Sequence, residues 1–130
     1  MADLTLNLAG LDLRSPLLSA SGTFGHGLEM APLVAPACLG GWVSKTVTRD
    51  PRPGNPMPRI AETEVGFLNS IGLENRGIDA YVRDVVPNLA GADTCIITNL
   101  GGKQAEEFAC LLYTSPSPRD ATLSRMPSSA

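Results

Sequence analysis

Four short stretches of this 130-residue sequence carry side chains that could do chemistry. Three are alike: "SASG" ending at Gly22, "VSKT" ending at Thr46 and "ITNLGG" ending at Gly102 each close a short apolar run on hydrogen-bonding groups. They offer Ser21 and Gly22, Lys45 and Thr46, and Asn99 with the Gly101-Gly102 pair. Polar groups converging on one rim of an apolar sheet make a ligand site, yet strands also end in polar loops as a matter of course, and pattern alone leaves both readings open. Lys45 favours the first, because a lysine directly after a buried strand needs an anionic partner or a polar mouth for its ammonium. The fourth stretch is "NSIGLENRG", residues 69–77. Asn69 and Asn75 supply amides that donate and accept, Gly72 admits a close backbone approach, and Ile71 and Leu73 give apolar walls. Such a loop suits a planar, polar heterocycle; it reads equally as an ordinary turn built around a glycine.

The elements that must position these residues follow from periodicity. "LTLNLAGLDLRSPLL" alternates apolar and polar residues about Gly10, the pattern of a hairpin with one buried face. "PLLSASG" is a first short strand. "HGLEMAPLVAPACLGG" has helical spacing at Leu28, Leu33 and Val34 but carries Pro32 and Pro36, which predicts a short, broken helix. "GWVSKT", from Gly41 to Thr46, is a second strand. From Val47 to Arg76 no period is sustained, and a loop this long in a compact domain usually serves a function; "RIAET" and "GFLN" could pair as a small hairpin within it. "GIDAYVRDVVPNL" places Ile78, Tyr81, Val82 and Val85 on one helical face, "TCIITNLGG" is a third apolar strand, and "KQAEEFA" opens a further helix. Strands of about five residues alternating with helices predict parallel βα units. A doubly wound sheet would carry a Gly-rich phosphate loop after its first strand, and "SGTFGHG" does not fit that pattern. A βα-barrel needs no such loop and places its ligand groups at the C-terminal strand ends.

Composition bounds the function. The chain is 43% hydrophobic with a net charge of −3 and no basic run, so nucleic acid and acidic membrane surfaces are not expected partners. No apolar stretch approaches the roughly 20 residues of a bilayer span, and the N-terminus lacks a basic and apolar leader, which predicts a cytoplasmic protein. Cys38, Cys95 and Cys110 form no CxxC pair, and His26 is the sole histidine, so no metal site is expected. The cysteines read as free thiols and His26 as a loop or helix-start residue.

Taken together, "SASGTFG", "VSKTVT", "PRPGNPMPRIAET", "GFLNSIGLENRG" and "IITNLGG" resemble, in order and spacing, the class 1 dihydroorotate dehydrogenases, with "RIAET" similar to the class 1B branch. The resemblance runs from about Leu4 to Phe108. It implies an α/β fold, the N-terminal part of a (β/α)8 TIM barrel preceded by a β-hairpin and truncated after about three barrel strands. It implies FMN at the C-terminal rim, with Ser21, Lys45, Thr46 and Asn99 as cofactor-binding residues. Lys45, Asn69, Ser70, Ile71, Gly72 and Leu73 would bind dihydroorotate or orotate. The implied reaction is FMN-dependent oxidation of dihydroorotate to orotate in pyrimidine biosynthesis. The implied partners are a second copy of the chain and an electron-transfer subunit carrying FAD and an iron–sulfur cluster. A related flavin barrel acting on another pyrimidine, or an inert fragment, is the alternative.

One part of the family's pattern is missing. Its catalytic base, a cysteine in class 1B, lies on a loop beyond the third strand, and Cys110 comes too early and lacks the flanking residues to be it. No catalytic residue is therefore expected in this chain. From Cys110 onward Ser, Thr and Pro make up 10 of 21 residues. "CLLYTSPSPRD" resembles the translation of a transposon-type sequencing adapter, and "SRMPSSA" the translation of its outer end. Residues 1–109 are thus expected to be a partial dehydrogenase barrel, and residues 110–130 an artefactual, disordered tail.

Overall fold

The computed structural model describes residues 2–115. Strands β1 (Leu6–Leu8) and β2 (Leu11–Leu13) form the expected antiparallel hairpin, with Leu8 opposite Leu11. The two-residue turn is left-handed at both positions, Ala9 at φ 51° and Gly10 at φ 89°, and the Asn7 side chain accepts from the Gly10 N–H at 3.0 Å. That geometry matches the twist of the flanking strands. Leu13, at the end of β2, is buried.

Parallel pairing organises the centre. Strand β3 (Gly41–Val43) lies parallel to a later strand at Cys95–Ile97, Gly41 opposite Cys95 and Val43 opposite Ile97. Its other neighbour is the stretch around Leu18, which bridges Gly41 in parallel: Gly40 N–H donates to Leu17 O at 2.9 Å and Ser19 N–H to Gly41 O at 3.2 Å. Three parallel segments thus sit side by side in chain order. The ladder runs beyond the regular strands, with Ser44 N–H donating to Ile97 O, Val47 N–H to Asn99 O and Gly101 N–H to Val47 O, all at 2.8–2.9 Å. Gly40 is confined to glycine by packing, since a Cβ there would lie 1.9 Å from the Ser15 carbonyl oxygen.

Within the long 47–76 connection, β4 (Ile60–Thr63) and β5 (Gly66–Asn69) pair antiparallel as the expected small hairpin. Every residue of both strands is exposed. The crossover helix comes in three pieces: α1 (Gly77–Ala80), a wider π-helical turn (Tyr81–Val85), and α2 (Val86–Leu89). Pro87 has no N–H to offer the carbonyl four residues back, so the regular ladder cannot run through this point, and the widened turn directly precedes it. The helix buries Ile78 and Tyr81, as its spacing predicts, with Val82 and Val85 packed beside them. β6 (Cys95–Ile97) and α3 (Ala105–Thr114) follow. Val47, Ile78, Tyr81 and Leu111 form the core between the strand ends and the two helices.

Two expectations are corrected. Residues 28–38 do not form an α-helix: Leu33 and Val34 both donate to Met30 O in a turn, and a 3-10 turn follows at Pro36–Cys38. Pro32 and Pro36 interrupt the ladder too often for a full helical turn to propagate. The segment beginning at Cys110 is not irregular throughout, because α3 continues to Thr114 and Leu111 is fully buried. Phe108, Leu111 and Leu112 prolong the three- and four-residue apolar spacing, and the core takes Leu111. The remainder of the expected tail, residues 116–130, lies outside the described residues. Among the described residues no helix is long and apolar enough to cross a membrane, and no group of metal-ligating side chains is assembled.

Candidate ligand site at the strand ends

Because the three central segments run parallel, their C-terminal ends lie on one side of the sheet. β3 continues as Ser44-Lys45-Thr46-Val47-Thr48, and its three hydroxyls alternate along the chain as strand geometry requires. Each ties to another element. Asn99 N–H donates to Ser44 Oγ at 3.2 Å, and Ser44 Oγ–H donates to Lys45 O at 3.2 Å. Asn99 Nδ2 donates to Thr46 Oγ1 at 2.8 Å. Thr48 engages the side chain of Asn75. Lys45 is clamped by its own N–H, which donates to Gly25 O at 2.7 Å, so the loop after the first strand lies against it. Ser21 is half-buried at the start of that loop, where Thr23 and Phe24 N–H both donate to Ala20 O.

The side chain of Lys45 lines an open cleft of about 760 Å³ with His26, Arg52, Glu74, Asn75 and Arg76 among its walls. Among the described residues no carboxylate pairs with Lys45 or Arg52, whereas Arg76 and Arg83 share Asp84 and Arg59 pairs with Glu74. The cleft therefore presents two uncommitted cations at the strand ends, where an anion or an electron-rich ring would be stabilised.

The predicted site residues do not all converge. Thr46 and Asn99 are brought together, while Lys45, next to Thr46 in the chain, lines a cleft of which neither is a wall. Asn69 and Ser70 instead line a separate cleft of about 270 Å³ with Pro58, Arg59, Ile60, Ala61 and Leu68. The reason is the 51–59 segment, which crosses the loop: Ser70 N–H donates to Arg59 O, Asn55 N–H to Ile71 O and Asn55 Nδ2 to Ser70 O at 2.7–3.0 Å. Gly72 packs on Asn55, where a Cβ would have only 3.1 Å, and Leu73 is exposed in a left-handed conformation at φ 56°. Sequence reasoning passed over Ser44, though its alternation with Thr46 and Thr48 was a usable signal, and it gave His26 no role.

His26 stands in the wall between Lys45's cleft and a smaller inner one. Its ring lies 5.2 Å from that of Tyr81, and its Nδ1 is buried without a hydrogen-bond partner. Burial pushes its pKa below the ordinary imidazole value; Lys45 pushes the same way and Glu29 opposes. The unfolded chain then takes up this proton at a higher pH than the folded one. The resulting stability is full above about pH 6.5 and is lost as pH falls through the depressed folded value. His26→Phe is expected to flatten that part of the acid slope. Denaturant midpoints measured on both proteins across this range check it, and identical slopes would contradict it.

A sequence model described as dihydroorotate dehydrogenase matches residues 3–118. The chain belongs to the dihydroorotate dehydrogenase family. Among its curated relatives, the dihydroorotate dehydrogenase B (NAD(+)) catalytic subunit of Pelobacter propionicus is 51% identical over 107 residues, 82% of this chain and 35% of that protein. The protein of the same description in Desulforudis audaxviator is 50% identical over 104 residues, 80% of this chain and 34% of its own length. The chain thus spans about a third of the dehydrogenases it matches. A ligand-free DHODH of Eimeria tenella shares the fold at a TM-score of 0.60 and 20% identity, over 88% of this chain and 34% of that one. Its complex with ferulenol superposes at 0.55 with 23% identity, over 78% of this chain and 29% of that one.

Proposed function

We propose that the chain is the N-terminal portion of a class 1B dihydroorotate dehydrogenase, whose complete form oxidises dihydroorotate to orotate in pyrimidine biosynthesis. The observation that carries this reading is the Thr46–Asn99 link at parallel strand ends, next in the chain to Lys45, in a protein half identical to proteins named as the catalytic subunit. In the complete enzyme the parallel segments would be the first three strands of a (β/α)8 barrel. Bare apolar side chains support this, since Leu4, Leu17, Phe67 and Leu68 are all more than half exposed and would be covered by a larger body.

The donor set fits a flavin. An ammonium, a hydroxyl and an amide lie at one rim, and Gly101 backs Thr46 so closely that a Cβ there would come within 2.7 Å of Thr46 Cγ2. Ser21, Lys45, Thr46 and Asn99 would hold FMN, which when bound supplies the hydride acceptor. Lys45 would place a positive charge near the flavin as it accepts electrons, and Asn99 with Thr46 would orient the ring edge. Residues 69–73 would face the pyrimidine once Asn69 and Ser70 swing toward Lys45 about the Leu73 end of the loop, which stays in place. The base that removes the substrate proton is supplied from outside this chain. A second copy of the chain and an FAD and iron–sulfur subunit would complete the assembly, in the cytoplasm. The segment from Cys110 is proposed to be foreign to the enzyme, so that genomic DNA past the Ala109 codon continues into a fourth strand with other codons.

That DNA provides the test. The complete enzyme is expected to purify with FMN and to shift its flavin absorption on titration with orotate, while the 130-residue chain retains no flavin and turns over no dihydroorotate. A flavin band that answers to another pyrimidine and ignores orotate would favour a related barrel. A yellow, soluble 130-residue monomer would contradict the fragment reading.

A further inference from the structure

We propose that Asn75 is a positioning residue that anchors the Leu73 end of the 69–73 loop relative to the strand carrying Lys45; this rests on the reading of those two segments as the substrate and flavin contacts. Asn75 is among the few buried polar residues, and its amide is fully committed. Its Oδ1 accepts from Thr48 N–H at 3.1 Å and from Gly77 N–H at 2.9 Å. Its Nδ2 donates to Leu73 O at 2.8 Å and to Thr48 Oγ1 at 3.0 Å, and that hydroxyl passes its own proton to Asp50 O at 2.7 Å. The main chain repeats the tie: Asn75 and Arg52 exchange both backbone bonds, at 2.8 and 2.9 Å.

One side chain therefore joins three places. Thr48 is three residues beyond Lys45 on the same extended run, Leu73 ends the loop, and Gly77 opens the crossover helix. The loop needs such a restraint, because Gly72 at φ 78° and Leu73 at φ 56° are successive left-handed residues. A leucine in that region is strained and persists only where its surroundings hold it. The Asn75 bond to the Leu73 carbonyl supplies that hold, while its bonds to Thr48 set where the loop stands relative to Lys45. Strain maintained beside a proposed substrate contact is better explained by positioning than by stability, which a relaxed turn would serve at less cost.

The test uses the complete flavoenzyme. Asn75→Ala is expected to raise the KM for dihydroorotate and the Kd for orotate about tenfold, with flavin content and kcat near those of the unaltered enzyme. Thr48→Val, which deletes the hydroxyl that accepts from Asn75 Nδ2 and donates to Asp50 O, is expected to move the same constants in the same direction by less, and Thr48→Ser to restore them. If Asn75→Ala does not fold, the two Thr48 variants decide. Unchanged KM and Kd in Thr48→Val, or flavin loss in step with the rise in KM, would overturn the proposal. An unaltered enzyme whose flavin ignores orotate would instead overturn the functional reading beneath it.

Discussion

Replacing Lys45 by methionine is expected to slow flavin reduction by dihydroorotate in the complete enzyme by about 100- to 1,000-fold, the usual loss when one preorganised charge is withdrawn from a developing anion. Methionine keeps most of the stem, so the packing at the end of β3 survives and the ammonium alone is lost. The backbone at this position is set independently of the side chain, through the Lys45 N–H bond to Gly25 O and the Ser44 hydroxyl bond to Lys45 O. Thr46 and Asn99 remain linked, so flavin should stay bound. Anaerobic rapid mixing with dihydroorotate, following the flavin absorbance in one turnover, separates the two effects. Normal flavin content with slow reduction supports a charge acting on the chemistry. Reduction at the unaltered rate would remove Lys45 from it.

The parts of this picture that were legible in the sequence rest on local rules. The β1–β2 hairpin follows from alternation about Gly10, and the crossover helix from the spacing of Ile78, Tyr81, Val82 and Val85. That Lys45, Thr46 and Asn99 stand at strand ends follows from polar residues closing parallel strands, which needs only pairing direction. What escaped depends on contacts between distant segments. The 51–59 segment crosses the 69–73 loop and directs Asn69 and Ser70 to their own cleft, and no periodicity in either stretch records that crossing. Asn75 was visible as an amide in "NSIGLENRG", but its partners come from 27 residues earlier as well as from its own neighbourhood. At residues 28–38 the prolines that pointed to a broken helix leave still less of one, a turn at Met30 and a 3-10 turn at Pro36–Cys38. The composition of the segment after Ala109 pointed to irregular chain, yet a single leucine at the right phase was enough for Cys110–Thr114 to continue a helix onto the core.

Gly27→Ala is expected to damage the fold severely for one added methyl group. A Cβ at Gly27 would lie 2.1 Å from Trp42 Cε3, and the residue sits at φ +92°. Trp42 has no room to retreat: it is 2% exposed, with Phe24 edge-on at 5.6 Å. The two costs can be separated, because Gly91 has almost the same backbone, φ +90°, and nothing within 4 Å of its would-be Cβ. Gly91→Ala should cost about 1–2 kcal/mol of backbone strain alone. Gly27→Ala should cost about 3–4 kcal/mol, the surplus being overlap in a packed site. Thermal unfolding of the two variants in the complete flavoprotein measures the difference, and equal losses would mean that the Trp42 ring yields freely. The damage should also reach the chemistry. Gly27 closes the loop whose Gly25 carbonyl holds Lys45, so pushing that loop off Trp42 withdraws the clamp from the lysine. Gly27→Ala is therefore expected to lower kcat as well as stability, whereas Gly91→Ala, in the turn before β6, lowers stability alone.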